Sequence, residues 1–278
     1  MKMKSSSSYD PLQGICGPLD EWLEFNAYGA FALEGGLTMV APFPPPDLMM
    51  HTSGLQRPQD FAIHGLLIGR PFVEACPTPL NELESILDFG IGVGRLARMF
   101  KGFAGTYVGV DIDRRNIEWI TDNLDYVAAV RTIPRRALPF GDAFFDAAVS
   151  VSVFTHMNAR DCIFYLSELK RVVKPGGYIL VSLQGERALR RAWDELQIRE
   201  MLCMSPSAVL GARDEICKGS GYCFVPMNTH LTSENYEYGM TFVSEWFVER
   251  IWSSGFSDVR FHHAVIADFQ DIAVFRIP

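Results

Sequence analysis

Residues 85–95 read SILDFGIGVGR. A short apolar run of the kind that ends a buried strand leads straight into Gly90, Gly92 and Gly94, and one acid, Asp88, precedes the bend. Glycines this dense continue neither a strand nor a helix. They make a tight turn whose backbone another group can approach closely. The flanking pattern alternates. Strands are expected at SILDF (85–89), TYVGVDI (106–112), YVAAVRT (126–132), FFDAAVSVSVF (144–154) and YILVSLQ (178–184). Helices are expected at VGRLARMFKGF (93–103), with Leu96 and Phe100 toward the sheet, and at DRRNIEWITDNL (113–124). NARDCIFYLSELKRVV (158–173) is a third helix, with Ile163, Leu166, Leu169 and Val173 as its apolar positions, and KPGG ends it. VSEWFVERIWSSG (243–255) is a last helix, followed by two strands, FSDVRFHHAVIADF and DIAVFRIP, close enough to pair antiparallel. Strand–helix alternation of this kind gives an α/β, doubly wound, mostly parallel sheet with an antiparallel last strand.

The remaining sequence bounds the function. A chain of 278 residues with 48% hydrophobic content is ample for a substantial core. No apolar run approaches the roughly 18–20 residues of a membrane span. The start, MKMKSSSSYD, lacks the apolar stretch of a secretory signal and reads as a disordered leader. Cys16, Cys76, Cys162, Cys203, Cys217 and Cys223 are scattered with no C-x-x-C, which suits a reducing, cytoplasmic setting and argues against a zinc site. No His, Asp and Glu cluster has metal-ligand spacing, so no metal is expected. The net charge is −8, and acids lie near each paired arginine, so no basic face for nucleic acid is expected. Residues 1–80 form an irregular and helical cap segment, with 1–40 unassigned and helix in two pieces from about Asp47 to Cys76. Residues 81–278 form the main domain, with an insertion at 185–240 after the fifth strand.

A strand, a glycine turn and a helix start together make a slightly positive niche of backbone amides at the C-terminal edge of the sheet, where nucleotide-containing cofactors bind. The dinucleotide spacing G-x-G-x-x-G counted from Gly90 needs glycine at 95, where the chain has Arg95. The pattern is D-x-G-x-G-x-G instead. Asp88 would repel a pyrophosphate and attract an ammonium group. The second strand ends in Asp111, placed to accept both hydroxyls of a ribose or to cap the helix that follows. A ribonucleoside with a cationic, amino-acid-like tail fits this set, and S-adenosylmethionine is such a molecule.

Four segments in order carry a family resemblance: ILDFGIGVGR, YVGVDID, LPFGDAFFDAAVSVSVFTHM and LKRVVKPGGYILVSL, with FQDIAVFRI as the antiparallel last strand. The chain resembles the class I S-adenosylmethionine-dependent methyltransferases, strongly over about 84–184 and moderately over 241–278. The resemblance implies a Rossmann-like fold and S-adenosyl-L-methionine as cofactor, with S-adenosyl-L-homocysteine as product. Carried over by position, Gly90, Ile91, Gly92 and Gly94 line the methionine side of the cofactor. Asp88 holds its amino group, directly or through water, Asp111 the ribose, and Ile112 packs on the adenine. Ser152 and Val153 face the cofactor near the sulfonium. Many members carry an acid after the third strand to bond the adenine amino group. Here Ile133 or a neighbour stands there, so adenine recognition falls to the segment from Ile133 to Leu138.

The acceptor side is less constrained. His156 follows the fourth strand, where it serves as a general base or braces the next helix. His230, in the insertion, is a second candidate base, and His262–His263 a weaker pair. Tyr222, Phe224, Tyr236 and Tyr238 either stack on a flat or sugar-like acceptor or pack the insertion onto the domain. Phe61, His64 and Arg70 are candidates for closing the cofactor pocket. The expected activity is methyl transfer to an O or N atom of a small molecule, a secondary metabolite or sugar unit. A cofactor-binding protein without transfer is the alternative.

Overall fold

The computed structural model describes residues 19–227 and 236–278. Two compact units divide the chain, one comprising residues 1–74 and 78–131 and the other 75–77 and 132–278.

The first unit carries β1 (Ser85–Phe89), β2 (Thr106–Asp111) and β3 (Val127–Arg131), all parallel, with β2 in the middle. Every residue of β1 is buried, as expected of a parallel strand covered on both faces. The Arg114–Asn123 helix follows β2, and its N-cap is Asp113, which accepts the Arg115 amide at 2.9 Å. The two helical pieces of the cap segment are Pro46–Ser53 and Pro58–Ala75. Shorter helical turns between Leu19 and Met39 occupy the stretch whose sequence pattern assigns nothing.

The expected helix at 93–103 is instead a run of turns followed by a 3-10 segment, Ala97–Phe100. Its carbonyls are taken by distant side chains. Tyr126 donates to Ala97 O at 3.2 Å, Asn26 to Arg98 O at 3.4 Å, and the Trp22 indole to Met99 O. The Arg98 side chain is fully buried. It donates to Pro42 O at 3.0 Å and Ala41 O at 2.6 Å and lies 3.7 Å from the centre of the Phe43 ring. Leu96 and Phe100 are nonetheless buried, as the apolar spacing requires.

The second unit contains β4 (Phe145–Ser150), β5 (Val173–Gln184), β6 (Tyr222–Pro226), β7 (Gly239–Val243), β8 (Asp258–Ile266) and β9 (Gln270–Arg276). β4 and β5 are parallel, β9 runs antiparallel to β5, and β8 pairs antiparallel with β9. β4, β5, β8 and β9 together with β1–β3 are the seven strands of a Rossmann-like, mostly parallel sheet with an antiparallel last strand. KPGG is not a separate loop. It falls inside β5, where the pairing with β4 skips from Val173 to Tyr178. The Ala159–Val172 helix, capped by Asn158, buries Cys162, Tyr165, Leu166, Leu169 and Val172. That stripe follows the 3- and 4-residue spacing of a helix face and leaves Ile163 exposed, contrary to the sequence expectation.

The insertion is more ordered than its composition suggests. It holds helices Glu186–Asp194, Leu196–Met201 and Pro206–Lys218. What reads as a Gly- and Tyr-rich loop includes a separate antiparallel pair, β6 with β7. Leu189, Val209, Ile216 and Phe242 give this region a small core of its own.

Arg98 has no carboxylate partner among the described residues, and burial pushes its guanidinium down to about 10. Its removal takes the donor from the buried Ala41 carbonyl and from that of the exposed Pro42. Arg98→Leu is therefore expected to lower stability by about 2 kcal/mol, at 1–3 kcal/mol for a buried group left unsatisfied. Chemical denaturation checks this, and a loss within about 0.5 kcal/mol of zero, as for an ordinary surface change, would refute it.

Candidate cofactor and catalytic sites

Gly90, Gly92 and Gly94 all have left-handed backbones, with φ of 79°, 56° and 77°. Three bonds fix the turn they make. The amides of Gly90 and Ile91 both donate to Val110 O, at 2.8 and 3.0 Å, and the Gly92 amide donates to Asp111 Oδ2 at 2.8 Å. Asp111 Oδ1 accepts the Asp113 amide at 2.7 Å. The end of β2 is thus tied to the glycine turn, and with the Asn116 side chain as a third donor the Asp111 carboxylate still has acceptor capacity left. Burial raises the Asp111 carboxyl above its ordinary value, against the amides of Asp113 and Gly92 that lower it. The helix-capping alternative falls to its neighbour Asp113.

Asp88 is buried at 1% exposure and accepts the Tyr107 hydroxyl at 2.9 Å. Burial pushes its carboxyl up to about 7. The Tyr107 bond and the Arg95 charge pull it back, and the Asp111 charge pushes it further up. Tyr107 was not singled out by the sequence. The signal is its register: Asp88 lies opposite Gly109, so Tyr107 is the same-face diagonal neighbour. Arg95, the residue that breaks the dinucleotide spacing, donates to His64 Nδ1 at 2.9 Å. An arginine only donates, so the half-buried His64 presents a neutral ring there. Burial and the Arg95 charge lower it to about 4.

Several candidates take other roles in this unit. Phe61 is fully buried, in a cluster with Met49 and Val93. Arg70 forms an ion pair with Glu24 at 2.9 Å. Thr52, on the Pro46–Ser53 helix, lies where a Cβ on Gly92 would meet its methyl at 3.0 Å. Ile91 is buried, while Ile112 is half-buried and its carbonyl accepts Arg131 Nε at 3.3 Å.

In the second unit, Ser152 and Val153 follow β4. Ser152 has a left-handed backbone, φ 56°, its amide donates to Ser182 Oγ at 2.7 Å, and its hydroxyl bonds the Gln270 side chain. His156 Nδ1 lies 3.0 Å from Gly239 O, and the ring stacks on Tyr238 with centroids 4.6 Å apart. A carbonyl only accepts, so Nδ1 carries the proton and Nε2 holds the free lone pair. Burial lowers the His156 pKa, partly offset by the Gly239 bond, which keeps the ring neutral near pH 7. The Tyr222 hydroxyl donates to Met157 O at 3.0 Å, and its ring meets Phe247 and Trp252. That engages Tyr222 in packing. Phe224 is half-buried and Tyr236 is buried. His230 lies outside the described residues.

Leu138 is buried, and its amide donates to Glu168 Oε2 at 2.7 Å, while Ile133 is 53% exposed. Leu138 therefore offers a ligand its side chain rather than its amide. His263 pairs with Glu245 at 3.1 Å. Among the described residues no three His, Cys, Asp or Glu side chains come together to hold a metal ion, and no helix is long and apolar enough to cross a membrane.

Residues 87–181 match the methyltransferase domain family. The chain is 30% identical over 125 residues to the 2-methyl-6-phytyl-1,4-hydroquinone methyltransferase of Synechocystis sp., covering 42% of this chain and 39% of that protein. It is 29% identical over 134 residues to the tRNA (carboxymethyluridine(34)-5-O)-methyltransferase of Arabidopsis thaliana, covering 46% and 32%. The chain thus spans well under half the length of these relatives. In fold it is similar to the glycopeptide N-methyltransferase MtfA, solved with S-adenosyl-L-homocysteine, at a TM-score of 0.51 and 14% identity over 85% of this chain and 100% of that one. The match begins in β1, takes in the glycine turn and reaches into β5, so this segment of the chain carries a methyltransferase domain.

Proposed function

We propose that the chain transfers a methyl group from S-adenosyl-L-methionine to an oxygen or nitrogen atom of a small molecule, a secondary metabolite or sugar unit, releasing S-adenosyl-L-homocysteine. The observation that carries this reading is the pair of acids, buried Asp88 and part-buried Asp111, on either side of a turn of left-handed glycines. In it Gly90, Ile91, Gly92 and Gly94 line the methionine tail, Asp88 accepts its ammonium group, and Asp111 accepts the ribose hydroxyls. Ile112 supplies apolar surface to the adenine. The bound sulfonium supplies an already activated methyl, so the protein's work is alignment and exclusion of water. For an oxygen acceptor, His156 Nε2 takes the hydroxyl proton, with Nδ1 held on Gly239 O. A neutral amine acceptor needs orientation alone. The net charge of −8 favours a small acceptor over the tRNA named for one relative. The test is transfer of isotopically labelled methyl in a mixture of small metabolites and bulk tRNA. Label in the small-molecule fraction supports the reading, and label confined to tRNA contradicts it.

Two further outcomes follow from the geometry. Asp88 must be ionised to hold an ammonium, and its carboxyl sits at about 7. Cofactor affinity is therefore expected to rise severalfold between about pH 5.5 and 7.5, below the titration of an α-amino group, and calorimetry across that range checks it. Asp88→Asn should weaken binding and flatten the profile. The raised pKa has the opposite sense for stability. The folded state holds this proton more tightly than the unfolded chain, so the group's contribution is present in acid and lost as pH rises from about 4 to 7. A flat wild-type affinity profile would remove Asp88 from the ammonium site. His156→Asn, whose side-chain amide can still donate to Gly239 O, should lower kcat on a hydroxyl acceptor by about 10²-fold or more and leave cofactor affinity unchanged. An unaltered kcat on such an acceptor would restrict His156 to bracing.

A further inference from the structure

The second unit contains a cavity of about 570 Å³ at the C-terminal end of the Pro206–Lys218 helix, bounded by the start of the Glu186–Asp194 helix, by β8 and by the first turn after β7. That volume is in the range of small-molecule sites. Of the residues considered above for cofactor or base, His263 alone lines it, and that ring is paired with Glu245.

Its charges are one-sided. Asp271, Glu186 and Glu245 line it, together with Arg187 and Lys218. Both cations are already engaged by acids outside the lining. Arg187 Nε donates to Asp268 at 2.8 Å, and Lys218 pairs with Asp214 at 2.9 Å. Glu245 is paired with His263. Asp271 differs from the others. It is 3% exposed, its Oδ1 accepts the Ala264 amide at 2.6 Å, and no cation among the described residues is within ion-pair distance of it. Its Oδ2 occupies space that only a glycine leaves open, since a Cβ on Gly185 would lie 2.4 Å from it. A carboxylate removed from water without a counter-charge is costly, and burial pushes Asp271 up to about 6. The same cavity is lined by apolar and aromatic side chains, Ile216, Phe261 and the half-exposed Trp246.

We propose that this cavity binds an organic ammonium ion with a flat apolar body, the ammonium held by Asp271 and the body lying against Phe261 and Trp246. The ligand supplies a counter-charge at contact distance, where the chain offers only the more distant His263. The site is independent of the cofactor reading, because every residue it uses lies outside the glycine turn.

Phenethylamine is the probe, with 2-phenylethanol and 3-phenylpropionate as neutral and anionic shapes of similar size, each titrated by ligand-observed NMR. Phenethylamine is expected to bind saturably and the other two not. Asp271→Asn keeps an acceptor for the Ala264 amide and should weaken phenethylamine by about tenfold or more, the scale of a lost charge-assisted hydrogen bond. Trp246→Ala changes a side chain that is 52% exposed and should weaken it severalfold. It serves as the deciding variant if Asp271→Asn does not fold. Excess S-adenosyl-L-homocysteine should leave phenethylamine binding unchanged. Equal binding of 2-phenylethanol, absence of saturable binding, full affinity in a folded Asp271→Asn, full affinity in Trp246→Ala or displacement by S-adenosyl-L-homocysteine would each overturn the proposal.

Discussion

One carbonyl and one carboxylate hold the glycine turn in place. Val110 O accepts two successive amides, from Gly90 and Ile91, and Asp111 accepts the next, from Gly92. A chain with side chains at these positions would pay the left-handed backbone cost several times over, of order 1–3 kcal/mol each. With glycines, the backbone follows the end of β2 closely enough for β2 itself to satisfy it. The same bonds orient Asp111 beside the turn, so the geometry that closes the loop also fixes the acid to which the proposal gives the ribose.

Around this turn the first unit holds charge in buried places and satisfies it in different ways. Arg98 is bonded by backbone carbonyls and covered by the Phe43 ring, so it acts as a structural pin for the segment near Ala41 and Pro42. Asp88 is held by one phenol and by the more distant charge of Arg95. Burial outweighs those partners and pushes its carboxyl up. That is the charge demand on which the proposed ammonium contact rests. In the second unit, His156 has one nitrogen fixed on a backbone carbonyl and the other left as a base, the arrangement a proton acceptor requires.

The parallel strands were legible because each is a short apolar run bounded by turn residues, and β1 to β5 fall within a few residues of the expected spans. The glycine turn and its two acids were legible because strand ends locate them. The segment after Gly94 was not, because what unwinds it comes from Trp22, Asn26 and Tyr126, far away in sequence. Ile163 misled because an apolar residue one step off the stripe looks like part of it, whereas Cys162 and Tyr165 complete the true face. The pairing of β6 with β7 was hidden by their brevity and by the polar stretch between them. Tyr107 and Arg95 act across strands and helices, through register and burial that local pattern does not carry. Tyr222 illustrates the general difficulty with aromatics, since its composition suits stacking on a ligand while its hydroxyl and ring are committed to Met157, Phe247 and Trp252.

The central claim is that the glycine turn with Asp88 and Asp111 receives a ribonucleoside with a cationic tail and not a dinucleotide. The most direct test is calorimetric titration with S-adenosyl-L-methionine and with NAD, on the wild type and on Asp111→Ala. Saturable binding of S-adenosyl-L-methionine alone, lost in the variant, is the predicted result. Binding of NAD alone, or of neither, would contradict the account.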